Sequence, residues 1–173
     1  GLNHVQVLYQ DQRGMNFKSQ SMTFNYIPKG NPNLYVLSIG VEQDDLKYTT
    51  KDAEDIAKEF WKLRDEKGRA FKKVDVRQMT KKSETSLMNI RKAFVDLKRK
   101  NIKDNDLVVV FISSHGKVGR DGNYILIPSD FEHTYEDQTS IDFRKDVLDQ
   151  LKMVNGKILV FIDACHSGTA VQG

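Results

Sequence analysis

The run Leu107-Val108-Val109-Val110-Phe111-Ile112-Ser113-Ser114-His115-Gly116 decides the fold, together with Ile158-Leu159-Val160-Phe161-Ile162-Asp163-Ala164-Cys165-His166-Ser167-Gly168. Each opens as a nearly continuous apolar stretch, the pattern of a strand covered on both faces. Each then turns into small and polar residues carrying a histidine or a cysteine. In open parallel sheets chemistry collects just past the carboxyl ends of the strands. The two polar tails are therefore the first places to look for a site.

Working outward, Tyr35 to Val41 is a third apolar run. Between it and Leu107 the pattern alternates. Thr49 to Lys67 carries Ala53, Ile56, Ala57, Phe60 and Leu63 on one face at helical spacing, with Gly68 as its stop. Val74-Asp75-Val76 is a short strand. A second helix carrying Leu87, Ile90, Phe94 and Leu97 follows, with Ser83 as its expected cap. Beyond Leu107–Ser113, Tyr124 to Pro128 is a short strand or hairpin arm. Ser140 to Lys152 is a third helix with Val147, Leu148 and Leu151 inward, and Asn155-Gly156 turns the chain into the last strand. Strands and helices in alternation imply an α/β fold: a mostly parallel sheet with helices on both faces. Residues 1–32 differ. His4–Tyr9 and Met22–Ile27 alternate as strands do, and Pro28-Lys29-Gly30-Asn31-Pro32 breaks any regular element. We expect a β-rich extension or the tail of a preceding domain, plus a linker, over 1–32, and the α/β domain that carries the two polar tails over 33–173.

Composition excludes several classes. The chain has 173 residues, 39% hydrophobic and 29% charged, an ordinary globular balance. No apolar run approaches the roughly 20 residues of a membrane span, and Gly1 to Gln10 has no signal-peptide pattern. We expect no membrane partner and a cytoplasmic location. A net charge of +3 is too small to argue for nucleic acid. The clusters Lys81-Lys82, Arg91-Lys92 and Lys98-Arg99-Lys100 suit solvated helix faces and turns. One cysteine permits no intrachain disulfide and no multi-cysteine zinc site.

A thiol becomes a strong nucleophile only when ionised, and a nearby imidazole both lowers its pKa and protonates the leaving amine. His115 and Cys165 each follow a buried strand, so the two side chains can meet if the strands are neighbours. Gly116 and Gly168 let backbone approach a substrate closely. The amides of Gly116 and Cys165 can face a developing oxyanion. A buried thiol and an unrelated histidine is the plainer alternative, but a glycine close after each residue argues for the pair. His166 is the rival base. It adjoins Cys165, and neighbouring side chains at a strand end diverge. His4 and His133 read as surface residues.

From about Tyr35 the chain resembles the caspase–metacaspase superfamily, through Ser113-Ser114-His115-Gly116 and Asp163-Ala164-Cys165-His166-Ser167-Gly168. The Asp and the His of the second motif place it closest to the metacaspase and bacterial caspase-like branch. His115 and Cys165 lie fifty residues apart, the spacing of about 50 seen in caspases. The resemblance implies a Cys–His dyad endopeptidase with oxyanion donors at Gly116 and Cys165.

Asp163 stands two residues before Cys165, and a strand alternates sides with period two. A carboxylate there can pair with Arg or Lys in the residue preceding the cut bond. The resemblance adds Asp52, at the start of the first helix, and Ser113 to the same pocket. A helix-start carboxylate is also favoured by the helix dipole alone, so both readings of Asp52 stand. Cleavage after Arg or Lys is expected, in a signalling or defence type of pathway. The resemblance also raises calcium. Asp130 and Asp142 match two ligand positions, but Phe143 and Gln172 stand where acidic residues are expected. Calcium takes six to eight oxygens, so no cofactor is expected.

The family's sheet continues past the nucleophile strand, whereas this sequence ends eight residues after Cys165. A second chain or C-terminal small subunit is therefore expected to complete the sheet, with a protein or peptide as substrate. A caspase-like docking module without activity is the alternative, though it usually lacks one dyad member. A cysteine phosphatase would need Arg about six residues after the thiol, where Val171 stands. No Gly-rich phosphate loop follows the first strand.

Overall fold

Four parallel strands organise the larger part of the molecule. In chain order they are β5 (Asn33–Gly40), β6 (Lys73–Met79), β7 (Leu107–Ser114) and β11 (Lys157–Ala164), arranged β11-β7-β5-β6. The computed structural model describes residues 2–5, 8–10, 15–18, 21–25, 30–42, 48–64 and 70–164. The chain divides into two units, Gly1–Gly30 and Asn31–Gly173. In the first, β1 (Leu2–Val5) pairs antiparallel with β4 (Met22–Asn25), and β2 (Leu8–Gln10) with β3 (Asn16–Lys18).

Each face of the parallel sheet has its own cover. Leu34, Val36, Val74 and Val109 pack with Phe60 and Leu63 of the α1 region (α1, Thr49–Lys62). Leu37, Ile39, Val110 and Ile112 face the other way. They meet Ile90, Phe94 and Leu97 of α2 (Leu87–Arg99), and Val147 and Leu151 further on. Each fully buried side chain of this size contributes about 1.5–3 kcal/mol. The fold is thus α/β with helices on both faces, as the alternation of elements implies.

The elements begin and end differently from expectation, for local reasons. Helix α1 stops at Lys62 rather than Lys67, and Gly68 lies outside the described residues. Leu63 and Arg64 bond three residues back, to Phe60 and Trp61. The Arg64 guanidinium folds 3.6 Å over the Trp61 ring while its Nε donates to the Val74 carbonyl. Helix α2 is capped by Ser86, whose hydroxyl accepts the Asn89 amide, not by Ser83. Residues 80–85 form turns instead, because the Glu84 carboxylate accepts the amides of Thr80 and Lys81. The expected Ser140–Lys152 helix is interrupted. Ile141–Asp142 (β10) pairs with the strand Tyr124–Leu126 (β9), a π-helix runs Phe143–Leu148, and the α-helix that follows, α3, is only Asp149–Leu151. The Asp142 carboxylate takes the Lys145 amide, and Asp146 accepts the Asp142 amide together with two bonds from Arg91.

At the opposite end of the sheet from the polar tails, Asp106 ties strands together. It is 2% exposed and accepts the Asn33 amide at 2.7 Å and the Lys103 amide at 2.9 Å. Burial raises its pKa, but the bonds from Asn33 and Lys103 outweigh this and leave it lowered. Asp106→Ala leaves two part-buried backbone donors without their acceptor, and a loss of about 1–2 kcal/mol in denaturant unfolding is expected. Because the folded pKa is depressed, the contribution is complete above the ordinary carboxylate value of about 3.9 and disappears as pH falls through the folded value. Wild type and Asp106→Ala should therefore converge in stability in acid. A gap that persists there would rule the carboxylate out as the cause.

Candidate active site

Strands β7 and β11 are direct neighbours, paired residue for residue from Leu107–Lys157 to Ser114–Ala164. The offset is fifty throughout, as in the bonded pair Ser113 and Asp163. Ser114 and Ala164 are the last pair, and His115 and Cys165 are the next residues in sequence. Cys165, His166 and Gly168 lie outside the described residues.

His115 is half-buried at the turn from β7 into a small antiparallel hairpin. The hairpin pairs β8 (Gly116–Val118) with β9 and places Gly116 opposite Leu126. The Ile127 amide donates to the His115 carbonyl at 3.0 Å, and the Gly119 amide to the Asn123 carbonyl at 2.7 Å. Antiparallel ladders alternate bonded and non-bonded pairs. These two bonds set the phase, so 116/126 and 118/124 are non-bonded pairs. The Ser114 hydroxyl also donates to the His115 carbonyl, at 3.0 Å. No peptide bond here is cis. In a planar trans peptide the carbonyl and the next N–H point oppositely, so the Gly116 amide points away from β9.

Gly116 is small for a reason the sequence does not reveal. A Cβ there would lie 2.1 Å from the Tyr124 hydroxyl oxygen, 2.7 Å from Tyr124 Cζ and 3.1 Å from Ala164 Cβ. The Tyr124 ring is held edge-on by Phe143, with centroids 6.1 Å apart. Behind the hairpin, buried Glu136 accepts Lys117 Nζ and the Arg120 amide. The Lys117 bond, first among several causes, holds the Glu136 carboxyl below its usual pKa. Tyr124, Phe143 and Glu136 were not candidates on sequence. The only signal was Asp121-Gly122-Asn123, a turn-type sequence between two short β-prone runs.

Of the pocket candidates, Ser113 and Asp163 are brought together. The fully buried Ser113 hydroxyl donates to the exposed Asp163 carboxylate at 2.9 Å. Gly40 is the next residue across, paired with Ser113 on its other side. Helix α1 begins directly over Gly40: the Thr49 hydroxyl donates to the Val41 carbonyl and the Ser38 hydroxyl to the Ala53 carbonyl. Asp52 is half-buried in the first turn of that helix. The two carboxylates considered as calcium ligands have other partners. Asp130 accepts the Leu87 amide at 2.8 Å at the head of α2, and Asp142 accepts the Lys145 amide and pairs with Lys145 Nζ. Among the described residues, no group of three or more His, Cys, Asp or Glu is placed to hold a metal ion. Exposed His133 sits edge-on to Phe131, and nothing is described of the His4 side chain.

A mostly parallel sheet with a histidine and a glycine amide at the tip of a central strand defines an α/β protein with a strand-end site. The chain belongs to the caspase-domain peptidase family, whose family model matches residues 34–173. Its fold is also similar to the crystal structure of protein GSU0716 from Geobacter sulfurreducens, with a TM-score of 0.58 and 19% identity. That match covers 81% of this chain and 53% of the other, so the chain spans about half the length of that protein. No curated protein matches it. Among the described residues, no helix is long and apolar enough to cross a membrane.

Proposed function

We propose that the protein is a cysteine endopeptidase in which Cys165 is the nucleophile and His115 its base. The single observation that supports this is the β7–β11 register. It ends on the pair immediately before these two residues, and adjacent strands lie about 5 Å apart. In the proposed reaction His115 takes the thiol proton and the thiolate attacks the peptide carbonyl carbon. The oxyanion that forms is held by the amides of Gly116 and Cys165. The imidazolium then protonates the leaving amine as the C–N bond breaks, leaving a thioester. Water, deprotonated by His115, hydrolyses it and restores the thiol.

Cleavage after Arg or Lys is supported by the exposed Asp163 carboxylate, which accepts the Ser113 hydroxyl in register with Gly40, the residue on which α1 is seated. A peptide library should be cut after Arg or Lys. Asp163→Asn should lower kcat/KM on Arg peptides by about 10–100-fold, the value of one charge-assisted bond. Cuts mainly after aspartate would refute this pocket. The same assay should run unchanged in a chelator, since Asp130 and Asp142 already serve as helix caps; activity restored only by calcium would overturn that expectation. Activity lost in Cys165→Ala while partner binding persists would separate a peptidase from a docking module.

The partner we propose is a second chain or C-terminal small subunit that extends the sheet at β11. Support comes from its outer face, where Leu159 is 47% and Phe161 50% exposed. An edge strand with such side chains invites pairing. A reducing cytoplasm suits a free catalytic thiol, and a signalling or defence pathway suits a peptidase with one narrow preference.

A further inference from the structure

We infer that Tyr124 is a positioning residue that fixes the Gly116 amide for oxyanion binding; this rests on the peptidase assignment above. The physical problem is stiffness. Glycine has the loosest backbone of any residue, yet an oxyanion donor must be held to within a fraction of an ångström. The structure meets the two demands from opposite sides. The His115–Gly116 peptide is pinned at its carbonyl by the Ile127 amide and the Ser114 hydroxyl. The phenol of Tyr124 fills the volume that a side chain at Gly116 would take, with its oxygen 2.1 Å from that Cβ position. Ala164, the last described residue of β11, closes the same space at 3.1 Å. The ring cannot swing freely, because Phe143 meets it edge-on. Tyr124 thus supplies the bulk that glycine lacks, while the N–H stays directed away from β9. It lies opposite Val118 in a non-bonded pair, where side chains approach most closely, and this lets it reach diagonally to Gly116.

The test uses the full-length protein and two readouts. One is steady-state peptide cleavage. The other is the pH dependence of iodoacetamide alkylation at Cys165, read on the peptide that carries it. Tyr124→Phe removes only the hydroxyl and should lower kcat about tenfold; Tyr124→Leu also removes the ring and should lower it about a hundredfold. KM should stay within about twofold in both. The alkylation midpoint should not move, because the role assigned to Tyr124 is to hold a peptide group and not to ionise the thiol. Gly116→Ala alone should be nearly inactive, but should cost far less when added to Tyr124→Leu, which vacates the space. Wild-type kcat in both Tyr124 variants would overturn the inference. So would a kcat loss that comes with an equal shift in the alkylation midpoint, which would put Tyr124 on the dyad instead. A wild-type protein that cuts no peptide and alkylates like an ordinary thiol would sink the peptidase assignment and this inference with it. An active wild type with unaffected Tyr124 variants would sink the inference alone.

Discussion

His115→Ala is expected to lower kcat/KM by about a thousandfold or more, because in the proposed mechanism one imidazole serves as base, then acid, then base again. Two measurable effects should appear together. Peptide cleavage falls, and the pH midpoint for Cys165 alkylation rises toward the ordinary thiol value of about 8.5. The second measurement is read on the peptide that carries Cys165. Thermal stability should change little. The apolar core lies along β7 below the site, in Val108, Val110 and Ile112, and His115 is outside that cluster. His166→Ala should by contrast keep most activity. If His115→Ala left both cleavage and alkylation as in wild type, the dyad would be wrong, and the shared register of β7 and β11 would have only a structural meaning.

Gly40→Ala is expected to destabilise the fold by about 3–5 kcal/mol, a large part of the total of about 5–15 kcal/mol for such a domain. A Cβ at position 40 would lie 2.3 Å from the Thr49 carbonyl oxygen, 2.8 Å from the Thr50 Cα and 2.8 Å from the Ala53 Cβ. Two of these atoms are backbone, so no rotamer change relieves the contact. Helix α1 would have to lift from β5. Lifting it breaks the bonds from Ser38 to Ala53 and from Thr49 to Val41, and loosens the buried contacts of Ala53 and Ala57. It also shifts Asp52 relative to Ser113 and Asp163. Loss of stability should therefore come with loss of the proposed preference for Arg or Lys. A denaturant midpoint within about 1 kcal/mol of wild type would show that the helix tolerates the displacement.

Both expectations bear on how the site is built. The proposed pocket is a row across three strands, Gly40, Ser113 and Asp163, with a helix seated on the first. The proposed oxyanion site is a hairpin leaving the same strand tip. The first depends on close helix-to-strand approach, the second on a tyrosine standing in for a side chain.

The long parallel strands, the two helical faces and the polar tails at the strand ends could be read in the amino-acid order itself. An apolar run or a 3.6-residue stripe is a local signal, carried by the residues that form the element. Helix α1 and strand β7 are of this kind, and so is the fifty-residue spacing between His115 and Cys165. Tertiary structure alone decided the rest. The strands β8, β9 and β10 have three, three and two residues, too few to show a period, and exist only through their partners. Asp130 caps a helix that starts forty-three positions earlier. Tyr124 matters because a hairpin's phase swings it onto Gly116, and that phase is set by hydrogen bonds between segments, which no single stretch of sequence contains.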